Sequence, residues 1–243
     1  MSENTDERPL AGRLGLVTGA SRGIGEATAL ALAAAGMHVV LTARDDRALE
    51  AVEEKIHGLG GSATIAPLDL AEPDAVARLA AAVSSRWKEL DALVINAAIL
   101  PELTPVTDIS AKQFSQALTV NVLATQTLLA AFHPMLKAAD AGKVIGLTSS
   151  VGANPRAYWG AYGASKAAFE TLLSCYAQEN AKVSRVTAAI VDPGATRTAM
   201  RARAFPGEDP ATVKSPEVVA AEILALLTDG FDNGIKFRVE AGS

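Results

Sequence analysis

The sequence predicts a single-domain α/β protein in which a doubly wound parallel sheet carries helices on both faces. Short apolar and β-branched runs alternate with longer alanine-rich amphipathic runs along the whole chain. Such alternation is typical of parallel strands joined by right-handed helical crossovers. The strand-like runs before residue 186 are mostly apolar on both faces, as expected when helices cover both sides of the sheet. The length, 243 residues, is at the upper end of what one hydrophobic core supports.

The elements follow one another without an internal repeat, a linker of biased composition or a domain boundary. We therefore expect one domain over residues 1–243, with a flexible N-terminus at 1–10. Residues 192–215 have no clear period, and a stretch of that length is typical of a binding loop, here a substrate loop. The predicted strands are Leu14–Thr18, His38–Thr42, Ala63–Ala66, Leu90–Ile95, Lys143–Thr148, Val186–Val191 and Ile235–Val239. The predicted helices are Gly25–Ala35, Asp46–Leu59, Pro73–Glu89, Ala111–Ala139, Ala161–Ala181 and Pro216–Thr228.

The composition excludes several classes of function. The chain has 22 basic and 27 acidic residues and a net charge of -5, so it lacks the basic footprint expected of a nucleic-acid or anionic-membrane partner. Its single cysteine, Cys175, cannot form an internal disulfide, and with three histidines no ordinary zinc-ligand cluster is available. The N-terminus lacks an apolar signal-peptide core, and the longest weakly polar run, 27–41, is too short to span a membrane. We expect a cytoplasmic protein without a bound metal.

A glycine-rich turn follows the first predicted strand and opens the first predicted helix. It reads Thr18-Gly19-Ala20-Ser21-Arg22-Gly23-Ile24-Gly25. Glycines at such a turn let the backbone approach a pyrophosphate, which the free N–H groups and dipole of the helix N-terminus favour. An ordinary turn is the alternative, but the placement between strand and helix favours a dinucleotide site in a Rossmann-like fold. The expected cofactor contacts in this turn are Gly19, Ser21, Arg22, Gly23, Ile24 and Gly25.

This turn and later motifs resemble the short-chain dehydrogenase/reductase family. The turn matches the family pattern Thr-Gly-x-x-x-Gly-x-Gly in full, and Tyr162-Gly-Ala-Ser-Lys166 matches its Tyr-x-x-x-Lys signature. The family's Asn-Asn-Ala-Gly motif is degraded here to Ile95-Asn96-Ala97-Ala98, and Asp192-Pro193-Gly194 resembles its Pro-Gly motif. The resemblance runs from about residue 10 to the C-terminus. The stretch from Pro193 through Phe205-Pro206 is most similar to bacterial reductases of the YciK type.

The resemblance implies four catalytic residues, and their chemistry suits hydride transfer to or from a carbonyl carbon. A free tyrosine has a pKa of about 10, which a nearby lysine ammonium lowers toward the working range. Tyr162 and Lys166 are four residues apart on a predicted helix and so share one face. The family implies that Tyr162 exchanges the proton, Lys166 also holds the nicotinamide ribose, Ser149 orients the carbonyl oxygen, and Asn121 fixes a water behind Lys166. Ser150 is the rival of Ser149, and Asn121 could instead join two helices by hydrogen bonds.

The end of the second strand predicts a preference for NADP(H). An NAD enzyme usually places an acidic residue there to bind the ribose 2′-hydroxyl, whereas this strand runs into Arg44. Arg22 in the glycine turn can approach the same phosphate. The alternative makes Asp45 the ribose acid, although Asp at a helix start is explained by N-capping alone. The remaining cofactor contacts that the resemblance implies are Asp69, Leu70, Asn96, Ala97, Ala98, Tyr162, Lys166, Pro193, Gly194, Thr196 and Thr198.

These observations predict an NADP(H)-dependent oxidoreductase acting on a small carbonyl or alcohol compound, as a homodimer or homotetramer. The alternative function is a non-catalytic, dinucleotide-binding regulatory protein of the same fold. Fold does not identify the substrate. The segments around the catalytic helix mix apolar side chains with arginines, which suits an apolar pocket with anionic anchoring at its mouth. The apolar members are Trp159, Met200 and Phe205, and the arginines are Arg156, Arg201 and Arg203.

Overall fold

The computed structural model describes residues 8–240, in which seven strands form one parallel sheet with the order β3-β2-β1-β4-β5-β6-β7. The order reverses between β2 and β4, which both pair with β1. At such a switch point the connecting helices leave toward opposite faces, so a crevice opens at the carboxyl ends of the strands. The strands are β1 Leu14–Thr18, β2 His38–Thr42, β3 Ser62–Ile65, β4 Ala92–Ile95, β5 Lys143–Leu147, β6 Thr187–Asp192 and β7 Lys236–Arg238.

Helices cover both faces of the sheet, which confirms the predicted doubly wound α/β class. Apolar side chains of α1, α2 and α9 pack on one face, and those of α3, α5 and α7 pack on the other. No helix within residues 8–240 is long and apolar enough to cross a membrane. The helices are α1 Gly23–Ala34, α2 Asp46–Gly58, α3 Ala75–Ser84, α4 Ala111–Leu118, α5 Ala124–Ala138, α6 Ser150–Ala153, α7 Gly160–Asn180, α8 Ala199–Ala204 and α9 Pro216–Asp229.

The strand predictions agree with the structure to within two residues at each end, but the long helix predicted over 111–139 is interrupted. A π-helical turn, Thr119–Leu123, separates α4 from α5. The side chain of Asn121 in this turn hydrogen-bonds outside its own helix, to Ile99 and Ser165. These contacts come from distant parts of the chain, so hydrophobic periodicity could not reveal the interruption. Single π-helical turns of this kind are frequent at functional sites.

Other boundaries and one terminus also differ from expectation. The helix predicted over 73–89 is shorter, because Asp74 adopts a left-handed conformation, with φ 59°, and α3 begins only at Ala75. The stretch 192–215 contains α8 and a short 3₁₀ turn, Pro210–Thr212. Residues 1–7 of the expected flexible N-terminus lie outside the described residues, while Leu10 is 1% exposed and donates its backbone N–H to Ala35.

Candidate active site

The glycine turn between β1 and α1 is closed so tightly that a side chain does not fit at its last glycine. A Cβ on Gly25 would lie 2.2 Å from the carbonyl oxygen of Gly19 and 2.6 Å from the amide nitrogen of Asn96. Gly19 and Gly23 have φ values of +67° and +59°, which favour glycine. The turn therefore brings bare backbone to the N-terminus of α1, where an anion is favoured.

Asn96, at the end of β4, holds this turn in place. Its side-chain amide donates to the carbonyl oxygens of Thr18, at 2.9 Å, and Gly19, at 3.2 Å. In return the hydroxyl of Thr18 accepts from the backbone N–H groups of Asn96 and Ala97, each at 3.0 Å. Ala98 follows, half-buried. Sequence reasoning missed Thr18 as a member of this arrangement, although a hydroxyl at a buried strand end directly before the glycines is a signal for it.

The acid at the start of α2 is used as a helix cap. Asp45 accepts a hydrogen bond from the backbone N–H of Ala48 at 3.1 Å, so its carboxylate is explained without a ribose contact. Arg44 and Arg22 are exposed, and the hydrogen bonds and ion pairs of residues 8–240 include neither side chain. The geometry thus favours Arg44 over Asp45 as the residue that distinguishes the two nicotinamide cofactors.

A cleft of about 570 Å³ lies beside Arg44, between the ends of β2 and β3 and helix α3. Leu68 and Asp69 line it, and the expected cofactor contact of Asp69 stays a prediction. One carboxylate oxygen of Asp69 accepts from the backbone N–H of Ala71 at 2.9 Å, so the residue also closes its own turn. Leu70 instead packs against the core on the α3 side of the sheet.

Helix α7 buries Tyr162 and Lys166 side by side at the carboxyl edge of the sheet. Tyr162 is 7% exposed and Lys166 is 3% exposed. The ammonium of Lys166 donates to the backbone carbonyl of Leu147 at 2.8 Å. It also lies 5.8 Å from the ring centre of Tyr162 and 4.7 Å from that of Phe169. Lys166 therefore contacts the end of β5, the strand that leads to Ser149, with Tyr162 beside it.

Burial shifts the pKa values of both groups in opposite directions. It raises the pKa of the Tyr162 phenol, and the nearby carboxylate of Asp192 raises it further. It lowers the pKa of Lys166 to about 8, against the carboxylate of Glu170, which raises it. The sequence predicts that Lys166 lowers the pKa of Tyr162, whereas in the structure burial and Asp192 raise it instead. The phenol therefore keeps its proton at neutral pH.

Ser149 rather than Ser150 has its hydroxyl available at this edge. Ser149 immediately precedes α6, and its side chain makes no capping hydrogen bond. The hydroxyl of Ser150 accepts from Arg156 at 3.2 Å. Ser149 lines a pocket of about 140 Å³ together with Trp159 and Arg201. Ser150 lines the same pocket, so the hydrogen bond from Arg156 to Ser150 is what separates two neighbours that the sequence could distinguish only through the family spacing.

Asn121 connects three segments behind the catalytic helix. Its side chain accepts from the backbone N–H of Ile99 at 2.9 Å and donates to the carbonyl of Ile99 and the hydroxyl of Ser165, each at 3.0 Å. Ser165 in turn donates to the carbonyl of Tyr162 at 2.8 Å. These contacts match the alternative in which Asn121 joins neighbouring segments. Its expected link to Lys166 through a water stays a prediction.

The segment after β6 passes over the glycine turn. Thr198 lies close to Gly23, on which a Cβ would be 3.3 Å from its methyl group, and its hydroxyl caps α8 by accepting from Arg201. Thr196 is 3% exposed and donates within the loop to the carbonyls of Pro193 and Gly194. The expected cofactor contacts of these residues stay predictions, because both hydroxyls are used to shape the loop.

Helix α8 closes over Tyr162 with apolar side chains. The Met200 sulfur lies 4.0 Å from the Tyr162 hydroxyl. The ring centre of Trp159 lies 6.0 Å from that of Tyr162 and 5.7 Å from that of Phe205. The side chains predicted to form an apolar substrate wall thus pack together from two segments more than 40 residues apart in the chain, and their contact with a substrate stays a prediction.

Two of the three arginines expected at this pocket are engaged within the protein. Arg201 makes a two-pronged ion pair with Glu208, at 2.7 and 2.5 Å, and stacks over Phe205. Arg203 donates to the carbonyl of Leu100. Arg156, which lines the pocket, has no carboxylate within 4.0 Å among residues 8–240. Only Arg156 therefore remains available as the expected anionic anchor within the described chain.

Comparison with known proteins places the chain in a family. A family model described as short chain dehydrogenase matches residues 14–209, so the protein belongs to the short-chain dehydrogenase family and is an oxidoreductase. It is 37% identical to the oxidoreductase YciK of Escherichia coli K12 over 95% of this chain and 92% of YciK. The predicted resemblance to YciK-type reductases is thereby confirmed.

Two further relatives carry information on cofactors. A chloroplastic NADPH-dependent aldehyde reductase-like protein of Arabidopsis thaliana is 34% identical, over 88% of this chain and 81% of the relative. A short-chain dehydrogenase from Escherichia coli CFT073, solved in complex with NADPH, is 35% identical with a TM-score of 0.92. That likeness covers 97% of this chain and 99% of the neighbour. The cofactor predicted from the sequence, NADP(H), is thus the one bound in this related structure.

Proposed function

We propose that this protein is an NADP(H)-dependent oxidoreductase that transfers a hydride between nicotinamide and a carbonyl or alcohol carbon, with Tyr162 as the general acid/base. The observation that carries the proposal is the burial of Tyr162 beside Lys166 on one face of α7. Lys166 reaches the end of β5 through Leu147 at 2.8 Å, next to the strand end from which Ser149 projects. Nothing in an ordinary apolar core requires a lysine there, since burying its charge is costly.

The residues present fit a dinucleotide with a 2′-phosphate. The turn at Gly19 and Gly25 has no room for side chains and offers backbone N–H groups to a pyrophosphate. Arg22 and Arg44 would hold the 2′-phosphate, and Asp69 would face the adenine. Support also comes from the NADPH in the related Escherichia coli CFT073 structure and from the NADPH dependence in the name of the Arabidopsis relative.

Each protein group has a defined part in the chemistry. The nicotinamide, when bound, supplies or accepts the hydride. Tyr162 gives its proton to the carbonyl oxygen during reduction, and Ser149 donates a hydrogen bond that orients the same oxygen. Lys166 holds the ribose hydroxyls and stabilises the phenolate left behind. Burial and Asp192 raise the pKa of Tyr162, so the phenol carries the proton that it donates during reduction.

The apolar wall selects the substrate class. Trp159 and Met200 lie against Tyr162, and Phe205 packs on Trp159. Trp159 also lines the pocket of about 140 Å³ at Ser149, whose size suits a small molecule. We infer that aldehydes and ketones with an apolar or aromatic body are preferred, since contact with such walls removes apolar surface from water.

The test is a turnover assay with purified protein, NADPH or NADH, and a panel of aldehydes and ketones. We expect NADPH to be consumed with at least one aromatic aldehyde, and Ser149→Ala to slow that reaction about 10²-fold through loss of the orienting hydrogen bond. Thermal shift measurements follow cofactor binding separately. Binding of NADPH without turnover of any aldehyde, ketone or alcohol would instead favour the non-catalytic, dinucleotide-binding alternative.

The proposed assembly is a homodimer or homotetramer, as the family resemblance implies. Sedimentation velocity of the purified chain measures its mass in solution directly. A single species at the mass of one chain, 25.0 kDa, would contradict this part of the proposal and leave the catalytic part unaffected.

A further inference from the structure

Glu170 places a carboxylate inside the protein, one helical turn beyond Lys166 on α7. The residue is 7% exposed. One carboxylate oxygen accepts a hydrogen bond from the hydroxyl of Thr148 at 2.7 Å, and the other lies 2.5 Å from the ammonium of Lys236 on β7. Burying a carboxylate costs several kcal/mol unless it is paired and hydrogen-bonded. The catalytic scheme above does not use this group, so its burial calls for another explanation.

The carboxylate and Lys166 meet the same short stretch of chain. Lys166 donates to the carbonyl of Leu147, and Glu170 accepts from the next residue, Thr148. A Cβ on Gly152 would lie 3.0 Å from a carboxylate oxygen of Glu170 and 3.1 Å from the carbonyl carbon of Lys166. Helix α6 therefore packs on the Glu170 carboxylate and on the backbone of Lys166, next to the end of β5 that both side chains contact.

Glu170 is the carboxylate that affects the pKa of Lys166. It raises the pKa of Lys166, against burial, which lowers it to about 8. Asp192 acts instead on Tyr162, and its carboxylate faces Arg238 at 4.0 Å. Helix α6 and the π-helical turn carry no charged residue. The charged groups on the other elements packed around this part of α7 are Lys112 on α4, Asp192 on β6, and Lys236 and Arg238 on β7.

We propose that Glu170 is a positioning residue of the active site: one helical turn beyond Lys166 and against the same end of β5, its buried carboxylate supplies the negative charge that acts on the Lys166 ammonium. This inference rests on the proposed function, in which the charged Lys166 holds the ribose hydroxyls and stabilises the phenolate of Tyr162. Its electrostatic part concerns this chain alone and can be measured without turnover.

The first experiment titrates Lys166 directly by NMR of protein labelled with ¹³C-lysine, with its signal assigned by Lys166→Arg. We expect the pKa of Lys166 in Glu170→Gln to lie about 1 below that of the wild type, because the neutral amide no longer favours the ammonium. Lys236→Met is the matched control, since it breaks the same ion pair but keeps the carboxylate. In this variant the pKa of Lys166 stays unchanged or rises. Equal shifts in both variants would mean that Glu170 is only a structural anchor, and would overturn the proposal.

The second experiment measures the pH profile of kcat/KM for carbonyl reduction. In Glu170→Gln we expect the alkaline limb to move to lower pH by the same amount as the pKa of Lys166, with activity at pH 6 retained and Glu170→Asp restoring the wild-type limb. If Glu170→Gln does not fold, the double variant Glu170→Gln/Lys236→Gln removes both charges and is expected to shift the pKa of Lys166 in the same direction. An unmoved Lys166 in a folded variant overturns the inference. A shifted Lys166 in a protein that reduces no carbonyl compound leaves the charge assignment standing and overturns the proposed function.

Discussion

The two sides of the crevice at the carboxyl ends of the strands differ in how their positively charged side chains are placed. On the side of β1 and β2, Arg22 and Arg44 are exposed, and their side chains make no hydrogen bond or ion pair within residues 8–240. On the side of α7 and α8, Lys166 is buried against Leu147 and Arg201 is paired with Glu208. A charge left in water costs little to keep and is free for a ligand, whereas a buried or paired charge already serves the fold. We therefore expect the exposed arginines to bind ligand, and the buried or paired cations also to determine the shape of the site.

The largest expected effect of a substitution is the loss of turnover at Tyr162, on the side of the crevice formed by α7 and α8. Tyr162→Phe removes only the phenolic hydroxyl, so we expect turnover to fall about 10²- to 10⁴-fold, the usual contribution of general acid catalysis. The dissociation constant of NADPH is expected to stay close to that of the wild type. Tyr176→Phe is the matched control on the same helix, because its hydroxyl contacts His133 at 2.8 Å instead of the site. Turnover of Tyr162→Phe within threefold of the wild type would contradict the assignment.

The cost of burying the charge of Lys166 predicts a pH-dependent difference in stability. The pKa of Lys166 is about 8 in the folded protein, against 10.5 for a free lysine. Between these values the unfolded chain binds the additional proton, so the contribution of Lys166 to stability is lost as pH falls through 8 and recovered by about 10.5. The effect is a few kcal/mol, at about 1.4 kcal/mol for each pKa unit.

The measurement compares urea unfolding of the wild type and Lys166→Met across this pH range without cofactor. We expect the stability advantage of Lys166→Met at pH 7 to shrink as pH rises from 8 to 10. Subtracting the two proteins removes the effects of the other titrating groups, such as Tyr176, whose pKa burial raises to about 12. A difference independent of pH would show that Lys166 pays no burial cost.

The exposed cations predict the cofactor preference. A charge-assisted hydrogen bond contributes roughly 1.5–3 kcal/mol, so Arg44→Ala is expected to lower the ratio of kcat/KM for NADPH over NADH by about 10- to 100-fold. Arg22→Ala should lower the same ratio. Arg47→Ala on the exposed face of α2 is the control. A wild-type ratio near one, or a ratio that neither substitution changes, would restore Asp45 as the ribose acid.

The smallest effect of a substitution is expected at Arg156. This residue lines the pocket at Ser149, and like the exposed arginines it has no acidic partner within the described chain. Exposed charge pairs contribute little, so Arg156→Gln should lower kcat/KM for 4-carboxybenzaldehyde by about threefold to fivefold. The values for benzaldehyde should not change. Arg185→Gln, at a surface pair with Asp140, is the control. Equal changes for both aldehydes would remove the anionic anchor.

Much of the cofactor side could be predicted from the sequence because its determinants are local. Gly19 and Gly25 directly follow a strand, and the conformation they need is a property of the residues themselves. Asp45 was correctly interpreted as a cap because its partner is only three residues away. On the substrate side, the π-helical turn at Asn121 and the pairing of Arg201 depend on contacts that no periodic pattern contains.

The order of the strands, the glycine turn and the spacing that puts Tyr162 and Lys166 on one face of a helix can all be read from the amino-acid sequence. The folded chain is needed to show which of the Ser149 and Ser150 hydroxyls has no partner among the described residues, which arginines are paired, and that Glu170 is buried one helical turn from Lys166. The physical reason is the range of the interactions. Backbone conformation and helical periodicity act over a few residues, whereas burial and ion pairing join segments that meet only when the sheet has formed.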